Sequence, residues 1–417
     1  MVFLVSPAGP CAERPIAAAA GNRVASMTIT AITNAHVHPV TAPAFDGTIL
    51  LEDGRISALG PDLAVPEGAQ VHDARGGWVV PGFVDAHVHL GVHEEGNGWA
   101  GEDTNEMTDP VMAAARALDA INPLDLGFDD ALRGGVTTVN VNPGSGNPIG
   151  GLAVALHTHG RVVDEMVLRE PSGLKAALGE NPKRVYGDKG TTPATRLGVA
   201  LTIRQALTKA QAWMAKDPAD REVDLVSEAL ARVLSREIPW RQHSHRADDI
   251  ATALRIAEEF DLDLVLDHGT ESYLIADRVA DRGVPVLYGP LIITRTKVEV
   301  SQRTPKAPGI LTRAGVKVSI ITDHPVVPID FLVHQAALAV KEGMDHDDAI
   351  RAITLNPAEV LGLADRLGSL EVGKDADLVL WDGDPLDTRH RAERVWIGGR
   401  EVMRYDREAA LPVIAER

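Results

Sequence analysis

Four pairs of histidines spaced two apart punctuate the chain: His36 with His38, His87 with His89, His157 with His159, and His243 with His245. That spacing sets both imidazoles on one face of a strand. It is how half of a metal site is built, because imidazole nitrogens and carboxylates hold zinc and similar ions while a catalytic site keeps one position open for water. A pair alone is a modest signal, so context has to separate the four. His87 and His89 close the string VVPGFVDAHVHLG (79–91), whose apolar run Val79, Val80, Phe83 and Val84 suits a strand covered on both faces. His36 and His38 sit in an N-terminal strand ahead of LLEDGRI and are read as a decoy. Farther on, LDH supplies His268 and TDHP supplies Asp323. The candidate ligands are therefore His87, His89, one or both of His243 and His245, His268 and Asp323. Cys11 is the only cysteine and lies far from all of them, so the donor set is nitrogen and oxygen, which suits zinc, manganese, cobalt or iron.

The elements that must position these residues alternate apolar strand-like runs with helical patterns over roughly 81–360, the signature of repeated βα units and a parallel sheet. Candidate strands are FVDAHVH, VTTVNVN, LAVALHTH, SGLKAAL, IPWRQHSH, LDLVLDH, VPVLYG and VKVSIITD. Eight such strands close a barrel. His87, His89, Asn140, Asn142, Lys175, His243, His245, His268, Tyr288 and Asp323 fall at or near the C-terminal limits of those strands, the face on which (β/α)8 enzymes build their sites. Between the fourth and fifth strands, Leu201 to Glu237 predicts two helices broken at Asp217-Pro218. The segments 28–80 and 361–417 each read as a few short strands, with a hairpin signal at Asp53-Gly54. Neither has enough strands for a core of its own. They are expected to pair into one β-sandwich around the inserted barrel, an α/β fold of TIM type. Residues 1–27 are expected to be a disordered extension, with Met27 standing where the regular pattern begins.

Composition narrows the partners. Of 417 residues, 41 Lys+Arg against 59 Asp+Glu give a formal charge of -18, with no basic cluster interleaved with aromatics that would track phosphates. Nucleic acid is not an expected partner, and no stretch approaches the roughly 20 apolar residues that cross a bilayer. A single cysteine fits a reducing compartment, so a cytoplasmic protein acting on a small molecule is expected.

The motifs GTILLEDGRISALG, PGFVDAHVHLG, RGGVTTV, the fifth-strand histidine, LDHGT, TDHP, TLNPAEVLGL and LGSLEVGKDADLVLWDGDPL occur in an order that resembles the amidohydrolase superfamily, in its imidazolonepropionase-like and prolidase-like branch. The likeness extends from residue 28 to 404. It implies a metal-bearing (β/α)8 barrel, a β-sandwich from both chain ends, and hydrolysis of amide or other C–N bonds. Carried over, His87 and His89 resemble the first-strand ligands, His243 the fifth-strand ligand, His268 the sixth-strand ligand, and Asp323 the eighth-strand ligand and general base. His268 is also counted with the catalytic pair. His245 is left to contact substrate, and the third-strand position of His157 and His159 is likewise one the family uses for substrate more than metal. Lys175 resembles the lysine whose reaction with CO2 yields a carbamate bridging two ions, and burial of an ammonium favours that chemistry. Glu180 is the rival bridge and Lys189 a weaker one. One or two divalent ions, zinc first among them, are the implied cofactor, and many relatives form homo-oligomers.

The implied reaction is attack on a carbonyl by hydroxide from water whose pKa the ion lowers from 15.7 towards ~7, cleaving an amide, peptide-like or lactam bond. A mononuclear cyclic-amidine hydrolase or deaminase is the rival reading. Relatives of that kind carry a glutamate two or three residues after the fifth-strand histidine, where this chain has His245 and Arg246. A non-catalytic scaffold is a second alternative, opposed by the complete ligand set. For substrate contacts the sequence offers the glycine-rich loop NPGSGNPIGG (142–151), Tyr186, and Arg196, which either clamps a carboxylate bidentately or pairs with an acidic neighbour such as Asp188.

Overall fold

The structure is a computed structural model that describes residues 29–417, so the extension expected at 1–27 lies outside the described residues. From the N-terminal side come β1 (Thr30–Val37), β2 (Phe45–Glu52), β3 (Arg55–Gly60), β4 (Gln70–Asp73) and β5 (Trp78–Pro81). The middle of the chain contributes β6 (Phe83–Val88), β7 (Val136–Val141), β8 (Ile149–His157), β9 (Val167–Ala177), β10 (Trp240–Ser244), β11 (Leu264–His268), β12 (Val286–Tyr288) and β13 (Val318–Ile320). The last strands are β14 (Leu378–Trp381), β15 (Ala392–Ile397), β16 (Arg400–Asp406) and β17 (Leu411–Ile414).

Strands from both ends of the chain share one nine-stranded sheet, joined where β14 lies antiparallel to β5, Val379 opposite Val80. Asp53 and Gly54 both take positive φ, 49° and 78°, as a two-residue type I′ hairpin between β2 and β3 requires. Ile32, Val37, Ile49, Leu51, Val79, Leu378 and Trp396 bury their side chains together on this sheet. Each such burial is worth roughly 1.5–3 kcal/mol, and because the residues come from opposite ends of the sequence, they tie the termini together. β5 runs directly through Gly82 into β6, so this sheet fixes the first barrel strand and with it His87 and His89.

The eight central strands form one sheet in the order β6 to β13, a nearly closed barrel. All the predicted strands are present, but one runs the other way. β8 is antiparallel to both β7 and β9. The reason is chain length: a parallel crossover needs about a dozen residues or more, and only the short NPGSGNP turn separates Val141 from Ile149. Consequently that glycine-rich turn stands on the face that carries the C-terminal ends of the other strands, while His157 is carried to the opposite end.

Between β6 and β13 the ladder is replaced by the segment ahead of the helix Leu355–Val360: Val84 N–H donates to Ile353 O at 2.8 Å and Ile320 N–H to Ala352 O at 2.9 Å. Above it, the buried Asp85 carboxylate accepts from Thr322 N–H at 3.0 Å and from the Thr322 hydroxyl, and His89 N–H donates to His324 O at 2.8 Å. These bonds bring the end of β13, with Asp323, against the end of β6. The two helices predicted between the fourth and fifth strands are Arg196–Met214 and Leu225–Leu234, with Asp217-Pro218 in the break.

Candidate active site

A cavity of about 340 Å3 opens on the face carrying the C-terminal strand ends, and His87, His89, Lys175, His243, His245, His268 and Asp323 all line it. A larger cleft of about 490 Å3 lies at the N-terminal ends of β11 and β12, among Arg236, Asp261 and Arg282, but it gathers no imidazole. Two groups of ring nitrogens and carboxylate oxygens sit in the first cavity, each with its atoms within 4.8 Å of one another: His87, His89 and Asp323, and His243, His245 and His268.

Each imidazole but one has a fixed orientation. His87 Nδ1 lies 2.9 Å from Asp267 Oδ2, His89 Nδ1 2.8 Å from Asn142 O, and His268 Nδ1 2.9 Å from Gly289 O. The second nitrogens of His87 and His89 point at Asp323 Oδ1, at 3.3 and 3.4 Å. An acceptor on Nδ1 that leaves Nε2 facing inward is the arrangement by which proteins hold metal-ligating histidines. The exception is His243. It is buried and neither ring nitrogen has a hydrogen-bond partner among the described residues. Buried polar atoms left unpaired are uncommon enough to need a reason, and a cation is the one these neighbours supply. The donor set therefore fits a divalent ion.

Electrostatics agree with this reading of the donors. Burial lowers His268 to about 3, against the pull of Asp323. Burial, reinforced by His268 and the partner imidazole of β10, holds His243 well below its ordinary value. The rings are thus neutral, the form that binds metal. Burial alone would raise Asp323, but His268 and the hydrogen bonds from His87 and His89 outweigh it and hold the carboxylate well below its usual range. His268 and Asp323 also adopt left-handed backbone, φ 71° and 55°. For side chains of this kind that conformation costs of order 1–3 kcal/mol and clusters at functional sites.

The amidohydrolase family model matches residues 228–404, the part of the chain that holds His243, His268 and Asp323. An amidohydrolase from Thermotoga maritima MSB8 is 45% identical, covers 90% of this chain and is itself covered 100%, with a TM-score of 0.88. The chain belongs to the amidohydrolase family. Membership places it in a class of hydrolytic enzymes acting on C–N bonds. Amidohydrolase tasK of Hapsidospora irregularis is 32% identical over 386 residues, 85% of this chain, of which this chain spans only 39%. An imidazolonepropionase of Mesorhizobium japonicum is 26% identical over 388 residues, covering 84% of this chain and 92% of its own length. A prolidase complexed with N-methylphosphonate-L-proline shares the fold, at a TM-score of 0.60 and 21% identity.

Within this amidohydrolase several residues stand elsewhere than the sequence suggested. Tyr186 does not face the cavity: it is buried, donates to Asp109 O at 2.8 Å and accepts from Asn147 Nδ2 at 3.0 Å, pinning the loop before residue 110. Burial, with Asp109 and Glu106 nearby, pushes its phenol up to about 12. Arg196 does not line the cavity either, and its acidic partner is Asp249 at 3.0 Å rather than Asp188. Arg196→Lys is therefore expected to leave the ratio of KM values for carboxylate-bearing and neutral substrates unchanged. A selective rise for the carboxylates, measured side by side, would return Arg196 to the site.

Lys189 donates to Met107 O, and Glu180 opens the helix Glu180–Asp188 with its N–H on Glu299 Oε2 at 2.9 Å; neither lines the cavity. His157 pairs with Asp377 at 2.9 Å and His159 with Ala415 O at 3.2 Å, so the reversal of β8 removes both from substrate. His36 pairs with Asp46 in the nine-stranded sheet. Conversely, Gly144 and Ser145 of the glycine-rich turn do line the cavity.

Sequence reasoning missed Asp267 and Arg241, both fully buried beneath the cavity. Asp267 Oδ2 lies 3.0 Å from Lys175 Nζ, and Arg241 reaches its other oxygen at 3.4 Å. The signal was available: a carboxylate and a guanidinium inside strands covered on both faces must find each other or another charge. It also missed Lys297, which lines the cavity with its Nζ 2.9 Å from the buried Glu299.

Proposed function

We propose that this protein is a metal-dependent hydrolase that cleaves an amide, peptide-like or lactam C–N bond. The observation that carries this reading is the pairing of the ionised Asp323 with His87 and His89 at the mouth-facing end of the barrel, beside a second imidazole group. His87, His89 and Asp323 would hold one divalent ion, zinc first among the candidates, and His243 with His268 a second. Lys175, at 1% exposure and lining the same cavity, is the amine whose CO2 adduct would bridge them. Bound there, a divalent ion supplies acidified water and polarises the substrate carbonyl.

The remaining work falls to the protein. Asp323 would accept the proton from the attacking water and return it to the leaving nitrogen, the double role that general acid–base catalysis allows a carboxylate at the reacting centre. The Nε2 atoms of His87 and His89 lie 3.3 and 3.4 Å from its Oδ1, so the three groups face one common position where they would share the ion. At Gly144 the space a Cβ would take is filled by the Asn105 side chain, so the glycine lets that amide pack into the cavity wall.

The imidazolonepropionase relative keeps cyclic amidine hydrolysis as the second reading. Against it, Arg246 points away from the cavity onto Asp248, both contacts 2.9 Å, and offers no proton donor to a ring nitrogen. The test is a paired screen of N-acyl amino acids, dipeptides and lactams against cyclic amidines, on protein treated with chelator and then reloaded with zinc. Amide or lactam turnover that vanishes with the chelator and returns with zinc is the expected result. Turnover confined to cyclic amidines would replace the proposal with its rival, and turnover indifferent to the chelator would end both.

A further inference from the structure

We propose that His243, His245 and His268 form a complete three-imidazole seat for a divalent cation, so that the second ion binds whether or not Lys175 carries CO2. This deepens the reading above and rests on it for the presence of metal. It reassigns His245, which the sequence left to substrate.

His243 and His245 project together from the end of β10, and His268 faces them from the end of β11, with ring centroids 4.7 Å apart for His243 and His245, 4.5 Å for His243 and His268, and 4.8 Å for His245 and His268. All three are buried. His245 is fixed as the other histidines of the site are: its Nδ1 lies 2.7 Å from the Thr270 hydroxyl, and its Nε2, on the cavity side, has the buried Glu299 carboxylate 3.8 Å away. His268 is held the same way through Gly289 O. His243, between them, has two buried nitrogens without a partner among the described residues. A substrate-binding histidine needs one neighbour to orient it and open space before it. Three imidazoles converging on a common point, two of them braced from behind, instead match the ligand count of a three-nitrogen catalytic site with its last position open. Nitrogen-only donors favour zinc, cobalt, nickel or copper over magnesium or calcium.

Lys175 is placed differently. Its Nζ is 3.0 Å from Asp267 Oδ2 and 3.3 Å from His87 Nε2, on the side of the other group of ligands, and it pairs with a buried carboxylate. The three-imidazole seat makes no use of it. On this arrangement a carbamate would link the two ions but would not create the second site.

The experiment is metal counting by elemental analysis, with cobalt absorption spectra, on the full chain purified in CO2-depleted buffer and dialysed against zinc or cobalt. Wild-type protein is expected to hold about two ions per chain with or without added bicarbonate. Lys175→Gln should keep the second ion, while His245→Gln should lose it and retain the first, and Thr270→Val should weaken it by roughly 10–100-fold, the usual cost of removing a group that braces a ligand. If Lys175→Gln does not fold, bicarbonate dependence in the wild type asks the same question without a substitution. A second ion that appears only with bicarbonate, or one that His245→Gln leaves in place, would overturn the proposal. These outcomes are separate from those of the hydrolase reading: failure on every amide in the screen is compatible with a count of two ions, and amide turnover is compatible with a His245 dispensable for metal.

Discussion

Asp323→Asn is expected to lower kcat/KM for an amide substrate by about 10²–10⁴-fold, the range removed with a positioned general base. Asparagine has the shape of the carboxylate and could still lie against His87 and His89, which approach Oδ1 at 3.3 and 3.4 Å. It cannot take a proton from water, nor can it carry the charge that those imidazoles and His268 hold in place. Because the backbone at Asp323 is left-handed, φ 55°, asparagine is also, glycine apart, the replacement that such a turn tolerates best. Loss of activity with unchanged unfolding would then report chemistry, not collapse. Steady-state kinetics should be read beside metal content. A fall in rate with the first ion still bound identifies the proton transfer, and loss of that ion identifies Asp323 as a ligand above all. A decrease smaller than about tenfold, with metal retained, would remove Asp323 from the reaction.

Much of this arrangement was legible because barrels confine chemistry to one end of their strands. His87, His89, Lys175, His243, His268 and Asp323 fall at predicted strand ends, and all of them meet in one cavity. What was not legible has physical causes. Sequence periodicity marks a strand but not its direction, so β8 read as one more parallel strand, and only the shortness of the turn before it argued otherwise. Tyr186 and Arg196 were chosen for what their side chains can do. Their partners, Asp109 and Asp249, lie 77 and 53 residues away, and no local pattern announces such pairings. His245 shows the same limit from the other side. Its spacing from His243 predicts a shared face but says nothing of the hydroxyl behind it or of His268 beside it.

The second large effect concerns stability and turns on Asp267. With β9, β10 and β11 packed side by side, this carboxylate faces Lys175 and Arg241, and all three are buried to within 1% of complete. Asp267→Asn would leave two cations in a dry interior with no counter-charge. Breaking a buried pair in this way costs about 3–5 kcal/mol, and the same change removes the acceptor that orients His87. The pH dependence follows from the sign of the shift. Burial would raise Asp267, but Lys175, Arg241 and His87 prevail and hold it well below the ordinary carboxylate value. A depressed carboxylate contributes its stability above the unfolded-state value of about 3.9 and loses it as pH falls towards the folded one. The excess stability of wild type over Asp267→Asn should therefore be full at neutral pH and shrink in acid, as denaturant titrations at several pH values would show. Adding Lys175→Met to Asp267→Asn should recover part of the loss, since one of the stranded cations is gone. The same measurement bears on the bridging group. A carbamate would turn Lys175 from a cation into an anion facing Asp267, and the loss on Asp267→Asn would then shrink in bicarbonate to what the unpaired Arg241 and the released His87 cost. A large loss that persists in bicarbonate would mean that Lys175 stays an ammonium in the folded chain, leaving the histidines and Asp323 to hold the ions without it.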